Sequence, residues 1–185
     1  MKTYGEDGRS QKVENKPQQA TGDRDAGARI SACRTYRYAL WRAWAAQLPY
    51  CVFIGFNPST ADETEDDPTL RRCIRFAKDW GFGGVVMVNL FAFRATDPKE
   101  MMAAEDPVGP ENDKWLLRVT FEAKMVVAAW GIKGSYKGRA SQVMTRLQTP
   151  LFCLGTTKEG YPRHPLYVKA NVRPVPLATR SKEGD

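Results

Sequence analysis

Two asparagines stand where apolar runs of the chain give out. Asn57 follows YCVFIGF (50–56), and Asn89 interrupts GVVMVNLFAF (84–93). A side-chain amide offers two donors and an acceptor, so Asn89 matches the N3–H and O4 edge of a pyrimidine. Burying that amide unpaired is costly, so it requires a partner, either structural or bound. Asn57 precedes Pro58, whose ring fixes φ, and a rigid turn there can hold a water for attack on a glycosidic carbon. The commoner role of an Asn-Pro pair is an Asx-turn cap. Asparagine takes no proton at neutral pH, so fast chemistry needs a carboxylate, and Asp62, Glu63, Asp66 and Asp67 stand close by. His164, the single histidine, lies in PRHPLY (162–167) and is suited to donating to a carbonyl oxygen as charge builds on it, or to a satisfied structural role.

These residues need a scaffold that gathers them. Four apolar runs, at 50–56, 84–93, 124–131 and 151–155, have the length and composition of strands covered on both faces. Apolar positions at three- and four-residue spacing predict helices over 67–80, 111–123 and 138–147. Strand and helix in alternation predict a three-layer α/β/α sandwich around a central, mostly parallel four-stranded sheet. Ligands of such folds bind beyond the carboxyl ends of the strands, which is where Asn57, Asn89 and the Trp130-Gly131 pair fall. Tyr36, Tyr38 and Leu40 alternate with arginines, predicting a short strand or hairpin that precedes the core.

The chain has 185 residues, of which 42% are hydrophobic and 26% charged, which suits one globular domain and excludes wholesale disorder. Residues 1–28 are polar and are expected to be a disordered tail; 29–178 form the domain, and 179–185 a polar end. No apolar run is long enough for a membrane span and no secretory h-region opens the chain, so a cytoplasmic protein without a membrane partner is expected, as a monomer. Four scattered cysteines, Cys33, Cys51, Cys73 and Cys153, read as reduced, buried thiols; their spacing suits no four-thiolate cluster, and neither metal nor cofactor is expected. The tail is neutral in sum, 29–113 has 10 basic and 12 acidic residues, and 114–185 has 13 basic and 4 acidic. Such a lopsided basic half suits a nucleic-acid partner, DNA first, or else a solvated surface.

In order along the chain, Gly55 to Ser59, Asn89, Ala129 to Gly131 and His164 to Leu166 resemble the uracil-DNA glycosylase superfamily, over roughly 50–168. Its members have a GQDPY or GINPG loop after the first core strand, an Asn ending the second, an LLWG-like third strand and an HPSPLS-like loop. The strings GFNPSTAD, NLFAFRATDP, AWG and PRHPLY more closely resemble a bacterial and phage family of domains of unknown function. The superfamily resemblance implies a DNA glycosylase-like hydrolase that flips out a pyrimidine and cleaves its N-glycosidic bond, in repair or modification. A non-catalytic nucleic-acid or nucleotide-binding protein, or an enzyme acting on free nucleotides, would use the same scaffold.

Under that resemblance Asn57 and His164 are catalytic, while Gly55, Phe56, Ser59, Asn89 and Phe91 bind the base. Ser59 replaces a tyrosine that bars the thymine methyl, opening the pocket to C5-substituted pyrimidines. Phe56, Phe91 or Phe93 would stack on the base, although a core position is the commoner role for each. Leu166 or Tyr167 would wedge into the duplex. Arg94, Lys133, Lys137, Arg139, Lys158, Arg163 and Lys169 would contact phosphates.

Overall fold

The computed structural model describes residues 25–178. Strand β3 (Tyr50–Gly55), β4 (Gly84–Asn89), β5 (Met125–Ala128) and β6 (Leu151–Cys153) come from the four apolar runs and lie parallel to one another in the order β4-β3-β5-β6. The sheet is larger and more mixed than four strands. On one side β2 (Arg37–Ala43) pairs antiparallel with β4, and β1 (Ala26–Ile30) pairs antiparallel with β2; on the other, β7 (Val175–Pro176) pairs antiparallel with β6. The tyrosine-rich segment is therefore not a prelude to the core but part of its sheet. Because β1 opens at Ala26, three residues assigned to the tail are paired, and the Asp25 carbonyl accepts from Ala43 N; residues 1–24 of that tail and the end 179–185 lie outside the described residues.

Helices α1 (Pro68–Asp79), α3 (Asn112–Glu122) and α4 (Arg139–Arg146) match the predicted spans to within a residue at each end. A short helix, α2 (Pro98–Ala103), is additional. Alternation along the parallel strands sends Cys51, Phe53, Val85, Met87 and Val127 to one face, where Leu70, Cys73, Phe76 and Ala77 of α1 cover them. Val52, Ile54, Val86, Val88 and Val126 go to the other, beneath Leu116 and Val119 of α3 and Ala140 and Val143 of α4. Each face buries its side chains against helices, which is why these strands read as continuous apolar runs.

Cys51, Cys73 and Cys153 are buried within this packing, whereas Cys33, in the turn between β1 and β2, is exposed; all four are free. Among the described residues no helix is long and apolar enough to cross a membrane.

Candidate functional site

From β3 the chain crosses to β4 on one side and later to β5 on the other, so β3 and β5 flank a topological switch point. Beyond the carboxyl ends of these strands lies a cavity of about 570 Å³, walled by the loop after β3, the end of β4, the Trp130–Lys133 segment and the 157–167 segment. Gly55, Phe56, Asn57, Ser59, Asn89 and His164 all line it, so the motifs scattered through the sequence converge.

Asn89 closes β4 and is 3% exposed. Its Nδ2 has no hydrogen-bond partner, a deficit that costs on the order of 1–3 kcal/mol when a donor is shut away from water. The backbone beneath it is held firmly. Asn112 Nδ2 donates to the carbonyls of Asn89 (3.1 Å) and Leu90 (3.0 Å), and Arg139 Nε donates to the Leu90 carbonyl at 2.9 Å. Arg139 and Arg146 both pair with Asp113. Gly55 faces the amide directly: a Cβ there would lie 2.6 Å from Asn89 Oδ1, so glycine is needed for close approach.

Asn57 is half-buried, and its Nδ2 donates to the carbonyl of Ala95 at 2.8 Å and to that of Pro58 at 3.1 Å. Those bonds fix the amide and leave Oδ1 as its acceptor. Of the four acids nearby, only Asp67 lines the cavity. Asp62 Oδ1 accepts from the backbone of Thr64 and Glu65, Glu63 pairs with Arg34, and Asp66 pairs with Arg42. Asp67 caps α1, its Oδ1 accepting from Leu70 N at 2.7 Å, with Pro68 next in line to open the helix.

His164 precedes a 3₁₀ turn at 165–167, and its Nδ1 accepts from Leu166 N at 3.3 Å. A neutral ring so bonded carries its proton on Nε2, where it is a donor. Burial lowers the imidazole pKa below its ordinary value, with Asp67 opposing, so the neutral form prevails at pH 7. The Tyr167 ring sits 5.6 Å from that of His164 and, at 79% exposure, stands at the mouth of the cavity; Leu166 is exposed but outside the lining.

Other expected site residues divide by exposure. Lys133 and Arg163 are exposed at the cavity rim; Lys137, Lys158 and Lys169 are exposed away from it. Arg94 is half-buried, and its Nη1 donates to the Arg34 carbonyl. Arg139 is a correction: at 3% exposure, with its donors committed to Leu90 and Asp113, it is unavailable to phosphate. Phe91 is another. It is buried on the α3 and α4 face, edge-on to Phe56 at 5.3 Å, and supports the wall instead of presenting a stacking surface; Phe93 packs against Tyr36.

Arg37, which the sequence reading passed over, lines the cavity at 3% exposure. Its Nη1 donates to the Ala61 carbonyl at 2.6 Å, while its Nε has no hydrogen-bond partner. Burial pulls its pKa down to about 10, against the attraction of Asp67, which still leaves it charged at neutral pH. Among the described residues no group of three or more His, Cys, Asp or Glu side chains is placed to hold a metal ion.

No curated protein and no solved structure matches the chain. A family model does match over residues 37–166, a span that runs from Arg37 through the strand ends to Leu166 and so takes in nearly every cavity wall. The chain thus belongs to DUF1643, a family described as proteins of unknown function.

Proposed function

We propose that the chain is a DNA glycosylase-like protein that takes a flipped pyrimidine, including one substituted at C5, into this cavity and hydrolyses its N-glycosidic bond. The observation that carries the reading is the buried Asn89 amide, which lines the cavity with a donor that no protein group satisfies. Oriented on a pyrimidine edge, its Nδ2 donates to O4 and its Oδ1 accepts from N3–H. His164 Nε2–H donates to the O2 carbonyl. Water held at Asn57 Oδ1 adds to C1′, the bond from C1′ to N1 breaks with its electron pair leaving on the base, and Asp67 accepts the water's proton. Ser59 leaves the C5 side open, and Lys133, Arg163 and the exposed lysines meet the DNA backbone.

A binding protein without hydrolysis is favoured by one observation, the commitment of Asn57 Nδ2 to the Ala95 carbonyl, a structural use of that side chain. Incubation with oligonucleotides containing uracil, 5-substituted uracils, hypoxanthine or mismatches, followed by detection of abasic sites, separates the two. Release of a pyrimidine supports the glycosylase, and salt-sensitive binding without release supports the binder. Absence of both removes the nucleic-acid reading.

A further inference from the structure

Residues three apart on a regular strand face opposite sides of the sheet. Leu40 and Arg37 are three apart on β2, yet both line the cavity. The cause is a register shift: Arg29 pairs with Ala39 and Ile30 with Arg37, leaving Tyr38 unopposed. This β-bulge reverses the alternation at the start of β2. Without it Arg37 would follow Ala39 and Trp41 toward the α3 face, where the packing is apolar. The strand therefore departs from regular pairing at the point that delivers a guanidinium to the cavity.

A buried guanidinium is costly unless its donors and charge are answered. The carbonyl of Ala61 answers Nη1, but Nε has no partner, and Asn89 Nδ2 on the neighbouring strand is in the same condition. The charged groups lining the cavity are Arg37, Lys133 and Arg163 against the single carboxylate of Asp67. A volume of about 570 Å³ also exceeds what one pyrimidine ring fills. We infer that Arg37 anchors an anionic oxygen group, a phosphate or a carboxylate, on the ligand that this cavity holds. Where the base lies rests on the glycosylase reading; the anion at Arg37 does not. The anion has two sources of one chemistry, the phosphate on the sugar of the extruded nucleotide or a carboxylate carried at C5 of the base.

The test is calorimetric titration of the full chain with uridine, uridine 5′-monophosphate, 5-carboxyuridine and inorganic phosphate. At least one anionic nucleoside is expected to bind about tenfold or more tighter than uridine, the scale of one charge-assisted hydrogen bond, and which one does so identifies the source. Arg37→Met should reduce that ratio to about one, with Arg37→Lys keeping part of it. A ratio near one in the unaltered protein, or a ratio unchanged in Arg37→Met, overturns the assignment. If Arg37→Met does not fold, the ratio is compared at about 0.05 and about 0.5 M salt. A buried anchor keeps it, whereas loss of the ratio assigns the preference to the exposed rim cations and overturns the proposal. Phosphate binding that depends on Arg37, without binding of uridine, would refute the pyrimidine reading and leave the anion site standing.

Discussion

Replacing Gly55 by alanine puts a methyl group 2.6 Å from Asn89 Oδ1, where contacts of this kind need at least 3.0 Å. The amide has to retreat by several tenths of an ångström while Asn112 and Arg139 hold the backbone beneath it. Overpacking of this kind costs about 1–3 kcal/mol. Gly55 has no left-handed φ, so alanine recovers about 0.4–1 kcal/mol by restricting the unfolded chain. The net loss is about 0–2.5 kcal/mol, a fall in Tm of up to roughly 10 °C for a domain of this size. In an Asn89→Ala background the Oδ1 is gone, and the nearest remaining atom is the Val88 carbonyl oxygen at 3.9 Å, so the same substitution should be neutral or stabilising. Denaturant unfolding of the four proteins of this cycle should therefore give a coupling of about 1–3 kcal/mol. Additivity within about 0.5 kcal/mol would refute the close approach as the reason for glycine. If the proposed pyrimidine reading holds, Gly55→Ala should also weaken pyrimidine binding, measured by titration, because it displaces the Asn89 amide.

Asp67→Asn keeps a good helix cap but removes the charge that attracts the buried Arg37, so turnover on any substrate found should fall by roughly 10²–10⁴, and the melting temperature should fall as well. Asn57→Asp loses both Nδ2 bonds and sets a carboxylate oxygen against the Ala95 and Pro58 carbonyls, so the melting temperature should fall; Asn57→Ala, which sets no charge there, should lower base release on any substrate found, and an unchanged rate would remove Asn57 from the water site. His164 has a depressed pKa in the folded protein, so the unfolded chain binds its proton first as pH falls below about 6.5. Stability should be full above that pH and decline below it, and His164→Gln should flatten that part of the Tm against pH curve. Hydrogen bonds from Ser31 and Thr35 bring the exposed Cys33 thiol down to about 7, while burial raises Cys51 to about 12 and Cys73 and Cys153 upward. Alkylation at pH 7.5, followed by mass, should show one fast site, lost in Cys33→Ser.

The parallel strands were legible because burial on both faces leaves an unbroken apolar run. The antiparallel edges were legible only in part: the alternation at 36–40 marks a strand or hairpin, found as β1 and β2, but not its place within the sheet, and β7 left no signal. β2 sets Arg37 beside Leu40 on the cavity, which breaks the plain alternation of a half-buried strand, and β7 is two exposed residues, one of them proline. The convergence of Gly55, Asn57, Ser59 and Asn89 followed from their places at strand ends, a local property, whereas His164 reaches the cavity from a loop well beyond β6. Arg37 escaped notice because its direction depends on a bulge set by pairing with β1, which sequence spacing does not display. Arg139 was misjudged for the converse reason: a basic residue opening a helix looks solvated until Asp113 and the Leu90 carbonyl are found beside it. The signal for Asp67 was present, since an aspartate ahead of Pro68 and an amphipathic run marks a helix start.

The Asn112, Asp113 and Arg139 linkage ties the starts of two helices to the end of one strand, and it lies entirely behind the cavity. What remains in front, Ile132, Lys133, Arg163 and Tyr167, is exposed and contributes nothing to that linkage. The two parts can diverge independently. Exchanging only the exposed rim side chains Ile132, Lys133, Arg163 and Tyr167 should change which molecules bind while leaving Asn89 and its hydrogen-bonded backbone in place, whereas Gly134 and Tyr136 between them are packed and have to stay. Rim side chains can accordingly be changed one at a time while the buried asparagine behind them stays in register.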